Sequence, residues 1–118
     1  MTDASTKSEL RKDVRRRTHE LRREIASKAL VASGTVHRRT KSCGRAACKC
    51  SNDVAARHGP YFEWTRRRDG RQALTVLTPQ QAALLEEAIA NRRRIEELLA
   101  QWEEVTEAEV LGRVPKSL

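Results

Sequence analysis

Three cysteines and a histidine, spaced Cys43-x4-Cys48-x-Cys50-x7-His58, are the residues of this chain best suited to chemistry. Zinc takes four tetrahedral ligands from Cys thiolate and His imidazole. These four residues supply such a set. Gly44 permits a tight turn after the first ligand, and Ser51, Asn52 and Asp53 are turn formers on the way to His58. Lys41, Arg45 and Lys49 surround the thiolates with positive charge, which favours the deprotonated, metal-binding form. The spacing departs from the usual Cys-x2-Cys pairs, since one residue separates Cys48 from Cys50. Two other readings stand beside zinc: small buried cysteines, and a redox switch between Cys48 and Cys50. His37 is the rival fourth ligand. His19 falls mid-helix among charges and reads as a surface residue.

A catalytic zinc needs three protein ligands and an open position. Here four ligands are at hand, so a structural ion is expected. The chain has no His-Glu-x-x-His, no nucleophile elbow, no phosphate-cradling glycine loop and neither half of the zinc-deaminase signature. The expectation is that the protein is not an enzyme.

Charge supplies the second signal. The formal net charge is +8, from 24 Lys and Arg against 16 Asp and Glu. Residues 1–41 carry twelve basic and five acidic side chains, 42–78 seven and three, and 79–118 five and eight. Clustered positive charge suits a polyanion, above all nucleic acid. The candidate contact set is Arg38, Arg39, Lys41, Arg45, Lys49, Arg66, Arg67, Arg68 and Arg71, with DNA favoured over RNA. Tyr61, Phe62 and Trp64 are candidates for stacking on unpaired bases. The competing reading packs Phe62 and Trp64 inside the head against the metal and Leu74 or Val76.

These residues must be held by a small framework. Leu10, Val14, Leu21 and Ile25 share one arc of a helix expected over 8–33, with Ser8 as N-cap and Gly34 as its stop. A metal and β head is expected over 35–78. Asp69-Gly70 between two strand-like runs is a hairpin signal. Thr78, Pro79 and Gln81 form a capping box that opens a second helix over 79–111. Its wide apolar stripe, from Leu84 through Ile95 and Leu99 to Val105, needs a partner surface. Opposite charges, Arg-rich on the first helix and Glu-rich on the second, favour an antiparallel pair. The expected fold is α+β: two long antiparallel helices joined by a small zinc-stapled β-hairpin head. It forms a single domain over 8–111, with a disordered tail over 1–7 and a second tail over 112–118. The head has too few apolar residues to fold by burial alone, a deficit that zinc would offset.

Neither a membrane-spanning run nor a signal-peptide core is present, so a cytoplasmic location with reduced cysteines is expected. An odd cysteine count also fits a disulfide framework poorly.

The run Gly34-Thr-Val-His-Arg-Arg-Thr-Lys-Ser-Cys-Gly-Arg-Ala-Ala-Cys-Lys-Cys, followed by His58-Gly-Pro-Tyr-Phe, resembles an uncharacterised family of small bacterial proteins. The resemblance covers about residues 34–105. It rests on the Cys-Gly-x3-Cys-x-Cys cluster, the His-Gly-Pro-Tyr motif and a following Glu-rich helix. It implies a domain of unknown function with a mobile-element context, and it places Cys43, Cys48, Cys50 and His58 on the family's Cys and His positions. Two functions follow as expectations. One is a nucleic-acid-binding accessory factor. The other is a protein-interaction adaptor acting through its helices, on a second copy of itself or on a recombinase or transposase.

Overall fold

Residues 10–41, 44–56 and 58–112 are described by a computed structural model of the chain. The element order is helix α1 (Lys12–Ala26), strand β1 (Thr35–Lys41), two short 3-10 turns (Lys49–Ser51 and Val54–Ala56), strand β2 (His58–Arg68), strand β3 (Arg71–Leu77) and helix α2 (Pro79–Val110). The class is α+β, as expected. The helices are not a simple hairpin, because a three-stranded antiparallel sheet of order β1-β2-β3 lies between them in the chain.

The first helix is shorter than its pattern predicts. It ends at Ala26, where Ser27 N–H donates back to the Arg23 and Glu24 carbonyls and Ser27 Oγ donates to Glu24 O. Such local serine bonds compete with helix propagation. Leu30 and Val31, expected inside the helix, lie beyond its end and are exposed. The expected cap, Ser8, lies outside the described residues; Arg11 occupies the N-cap position, and its side chain makes no capping bond. Helix α2 begins as its sequence requires. Gln81 N–H donates to Thr78 Oγ1 at 3.1 Å, and Thr78 N–H donates to Gln81 Oε1 at 2.9 Å, a reciprocal capping box.

The chain divides into two compact units: Met1–Ala29 with Asn91–Leu118, and Leu30–Ala90. The first unit holds α1 and the second part of α2. Its core is Val14 and Leu21 against Leu98, Val105 and Ala108. Three bridges set the register: Arg11 Nε to Glu109 Oε2 at 3.0 Å, Arg17 Nη2 to Gln101 Oε1, and Arg94 to Glu24. As the α1 number rises the α2 number falls, so the two segments run antiparallel. Arg94 grips Glu24 with two parallel bonds, of 2.6 and 3.0 Å. These bonds from the guanidinium hold the Glu24 carboxyl below the ordinary carboxylate range.

The second unit holds the sheet and the first part of α2, where Ala82, Ala88 and Ile89 are buried. Strands β2 and β3 meet at Asp69 and Gly70, with φ of 52° and 76°. Two consecutive left-handed residues make the two-residue turn that the Asp-Gly pair predicts. Gly34, at the entry to β1, has φ of 106°; a Cβ there would lie 2.3 Å from Thr65 O and 2.7 Å from Trp64 Nε1. Ser33 O accepts from that same Trp64 Nε1 at 2.9 Å, which holds the entry close against β2.

The two glycines should therefore differ. Gly34→Ala should cost on the order of 3 kcal/mol, from clash plus left-handed strain, while Gly70→Ala, open on its Cβ side, should cost about 1 kcal/mol. Urea denaturation of both variants measures the gap, and equal losses would contradict the packing at Gly34. The Glu24 pair sets an acid limit. Its carboxyl is depressed in the folded state, so its contribution is complete above the ordinary carboxylate pKa and disappears as pH falls through the depressed value. Glu24→Gln should flatten the decline of stability below about pH 4, read by denaturation across that range.

Candidate functional site

The antiparallel ladders sort the sheet into two faces, because residues directly opposite one another share a side. Register pairs His37 with Glu63 and Glu63 with Val76; it also pairs Thr65 with Leu74 and Arg39 with Tyr61. These residues make one face. The other carries Arg38, Phe62 and Leu77, then Val36, Trp64 and Thr75, then Arg66 and Ala73, and finally Arg68 opposite Arg71. Phe62 and Trp64 are thus on the opposite side from Leu74 and Val76, which are 55% and 59% exposed. The expectation that these aromatics pack on Leu74 or Val76 is corrected by strand parity. Trp64 is held by Ser33 and by the Arg66 guanidinium, 3.9 Å over its ring. Its indole is committed to the fold.

The basic set divides along the sheet. At the hairpin tip, Arg67, Arg68 and Arg71 are exposed, and Arg67 Nη1 donates to Gly70 O at 3.2 Å. Arg66 stacks on Trp64 and donates to Thr75 Oγ1 at 2.7 Å, so it serves the sheet. At the other end, Arg38 is exposed opposite Phe62, whereas Arg39 Nε lies 2.9 Å from Glu63 Oε1. Arg38 stands opposite a residue six positions before Arg68 on β2, roughly 20 Å away at strand rise. The single dense set expected from sequence is therefore two clusters. Arg45 and Lys49 are exposed in the loop between β1 and β2, and the side chain of Lys41 lies outside the described residues.

Glu63 was not singled out in the sequence. It is 7% exposed, and Arg39 compensates its charge. Period-2 alternation between Phe62 and Trp64 marks it as facing away from them, but alternation carries no sign of its burial.

Of the four metal-ligand candidates, Cys43 lies outside the described residues, as do the side chains of Cys50 and His58. Cys48 is half-buried and caps the 3-10 turn Lys49–Ser51, which contains Cys50. Ser51 closes this turn by donating from Oγ to the carbonyls of Cys48 and Ala46. The backbone of His58 pairs with Lys41, two positions before Cys43. The ladder thus brings the start and finish of the cysteine segment to one end of the sheet. His37, the rival ligand, lies mid-strand with Nε2 3.5 Å from Thr65 Oγ1, on the side away from Lys41. Among the described residues no cluster of three metal-ligating side chains forms. His19 is exposed on α1. No helix among the described residues is long and apolar enough to cross a membrane.

No curated protein and no solved structure matches the chain. A family model described as "Domain of unknown function (DUF6788)" matches residues 11–87, so the match takes in all of α1, the sheet and the beginning of α2. This reaches further toward the N-terminus, and less far along α2, than the motif resemblance. The chain belongs to the DUF6788 family of domains of unknown function.

Proposed function

We propose that the protein is a zinc-stapled nucleic-acid-binding accessory factor whose hairpin tip grips the phosphate backbone, in the mobile-element setting that the motif resemblance implies. The observation that carries this reading is the tip itself. Arg68 stands directly opposite Arg71 across the ladder, and Arg67, opposite Gln72, adds an exposed charge on the other face of the tip. Like charges in facing positions weaken a hairpin by a few tenths of a kcal/mol. A phosphate between them would remove that repulsion and satisfy both guanidiniums. Arg38 extends the contact toward the cysteine segment, and Arg45 and Lys49 supply charge there. Contacts of this kind fix position on the polymer without reading its sequence.

The zinc reading is supported by the closure of the cysteine segment by the Lys41–His58 pair, and by the turn around Cys48 and Cys50. Cys43, Cys48, Cys50 and His58 would hold the ion, which would replace the apolar core that the segment lacks.

Two measurements test the two parts. Elemental analysis of the purified chain should give one zinc per molecule, and Cys48→Ser should lose it with a fall in Tm of about 10 °C or more. Metal-free protein with an unchanged Tm would remove the zinc reading. For the second part, fluorescence anisotropy with duplex and single-stranded DNA and RNA should give an affinity that falls steeply with salt. Replacing Arg67, Arg68 and Arg71 together with Gln should lower the log–log salt slope by roughly 2 to 3 while leaving the circular dichroism spectrum unchanged. Absence of binding to any of these polymers at low salt would remove the nucleic-acid reading.

A further inference from the structure

The first compact unit carries an apolar groove that its own two helical segments leave open. Leu10, Val14 and Thr18 line one wall, on and just before α1, and Trp102, Thr106 and Val110 line the other, on α2. The groove holds about 370 Å³. Leu99 continues the α2 wall and is 45% exposed; Val110 is 76% exposed. The helix pair buries its narrow core but leaves this flank open, and the usual completion is a second pair laid across the first.

Charge on the two rims selects the occupant. On α1, Arg22 lines the groove itself and Arg15 lies at its outer edge. The outer edge of α2 carries Glu96, Glu103 and Glu107. All five are exposed. Arg22, Glu103 and Glu107 have no ion pair among the described residues, and Glu96 reaches only Arg92, at 3.5 Å within its own helix. One rim is thus basic and the other acidic. A surface of that kind is complementary to itself under a two-fold axis, since an isologous interface sets each patch against its counterpart.

We propose that a second copy of this chain docks in the groove, forming an antiparallel four-helix bundle about a two-fold axis parallel to the helices. The alternative two-fold, running across the helices, sets α1 on α1 and arginine on arginine, so charge excludes it. With the axis along the helices, α1 of each copy lies over α2 of the other. Levels along the helix are then preserved, so the register already fixed by Arg17–Gln101 and Glu24–Arg94 carries over to the partner. Arg15 falls at the level of the partner's Glu103, and Arg22 at the level of the partner's Glu96. The apolar strips close on one another, with Leu99, Trp102 and Val110 covered. This assembly is independent of whether the hairpin tip binds nucleic acid.

The test is charge exchange in the full chain, read by sedimentation equilibrium. The native protein should run as a species of twice 13.4 kDa. Arg15→Glu and Glu103→Arg, prepared separately, each create two like-charge pairs in their own homodimer and should weaken association about tenfold. Mixing the two variants should restore native affinity, because both facing pairs in the mixed dimer are again opposite in charge. Contact between Arg15 and Glu103 within one chain cannot produce rescue on mixing. Helical circular dichroism of each variant should match the native chain, since both positions are exposed. A native chain that stays monomeric at about 100 μM would overturn the proposal. So would weakened variants that fail to recover when mixed.

Discussion

The antiparallel pairing of β1 with β2 is the constraint on which the second unit rests. It runs from Thr35–Thr65 to Lys41–His58, and each end performs a different task. At one end Gly34 lets the chain approach Thr65 and Trp64 too closely for any side chain. At the other the ladder closes the base of the cysteine segment. Between them the register decides which residues share a face, and so which arginines serve the sheet and which are available to a partner. Arg39 and Arg66 go to Glu63 and Trp64. Arg38, Arg67, Arg68 and Arg71 remain exposed. A charge count treats these six alike, but the ladder does not.

Much of this was legible in the residues wherever a short-range rule applies. The Thr78–Gln81 box and the Asp69-Gly70 turn are both determined by a few neighbouring residues, and both occur where their chemistry requires. Long-range consequences were harder to read. The apolar periodicity of α1 continues past Ala26, but Ser27 turns its own hydrogen bonds back on the helix, so Leu30 and Val31 fall outside it. Face assignment in the sheet failed for a similar reason. Phe62, Trp64, Leu74 and Val76 are all good strand residues, and only the cross-strand register reveals that the first two and the last two oppose each other. Of the candidate metal site, the backbone closure by Lys41 and His58 is observed, while the ligand set itself rests on residue type and spacing.

The two units stabilise themselves by different means. In the first, charge is organised by length: Arg94 and Glu24, Arg11 and Glu109 lock the helices at fixed levels, while Val14, Leu21, Leu98 and Val105 exclude water beneath them. Its apolar stripe is broader than one neighbour can cover, which is why Leu99 remains at the surface. In the second, hydrogen-bonded ladders and a cation–aromatic stack replace apolar volume. The only charged residue buried among those described, Glu63, is tolerated there because Arg39 reaches it across the ladder.

The placement of β3 has a consequence for how the protein behaves in concentrated solution. It is an outer strand, and its stretch from Gln72 to Leu77 is uncharged, with Leu74 and Val76 bare. Strands of this composition invite edge-to-edge annealing with other molecules. The arginines at its mouth oppose that, acting as gatekeepers that repel an incoming sheet. The arginines of the proposed contact thus also guard against aggregation, and stripping their charge would leave a bare, sticky edge.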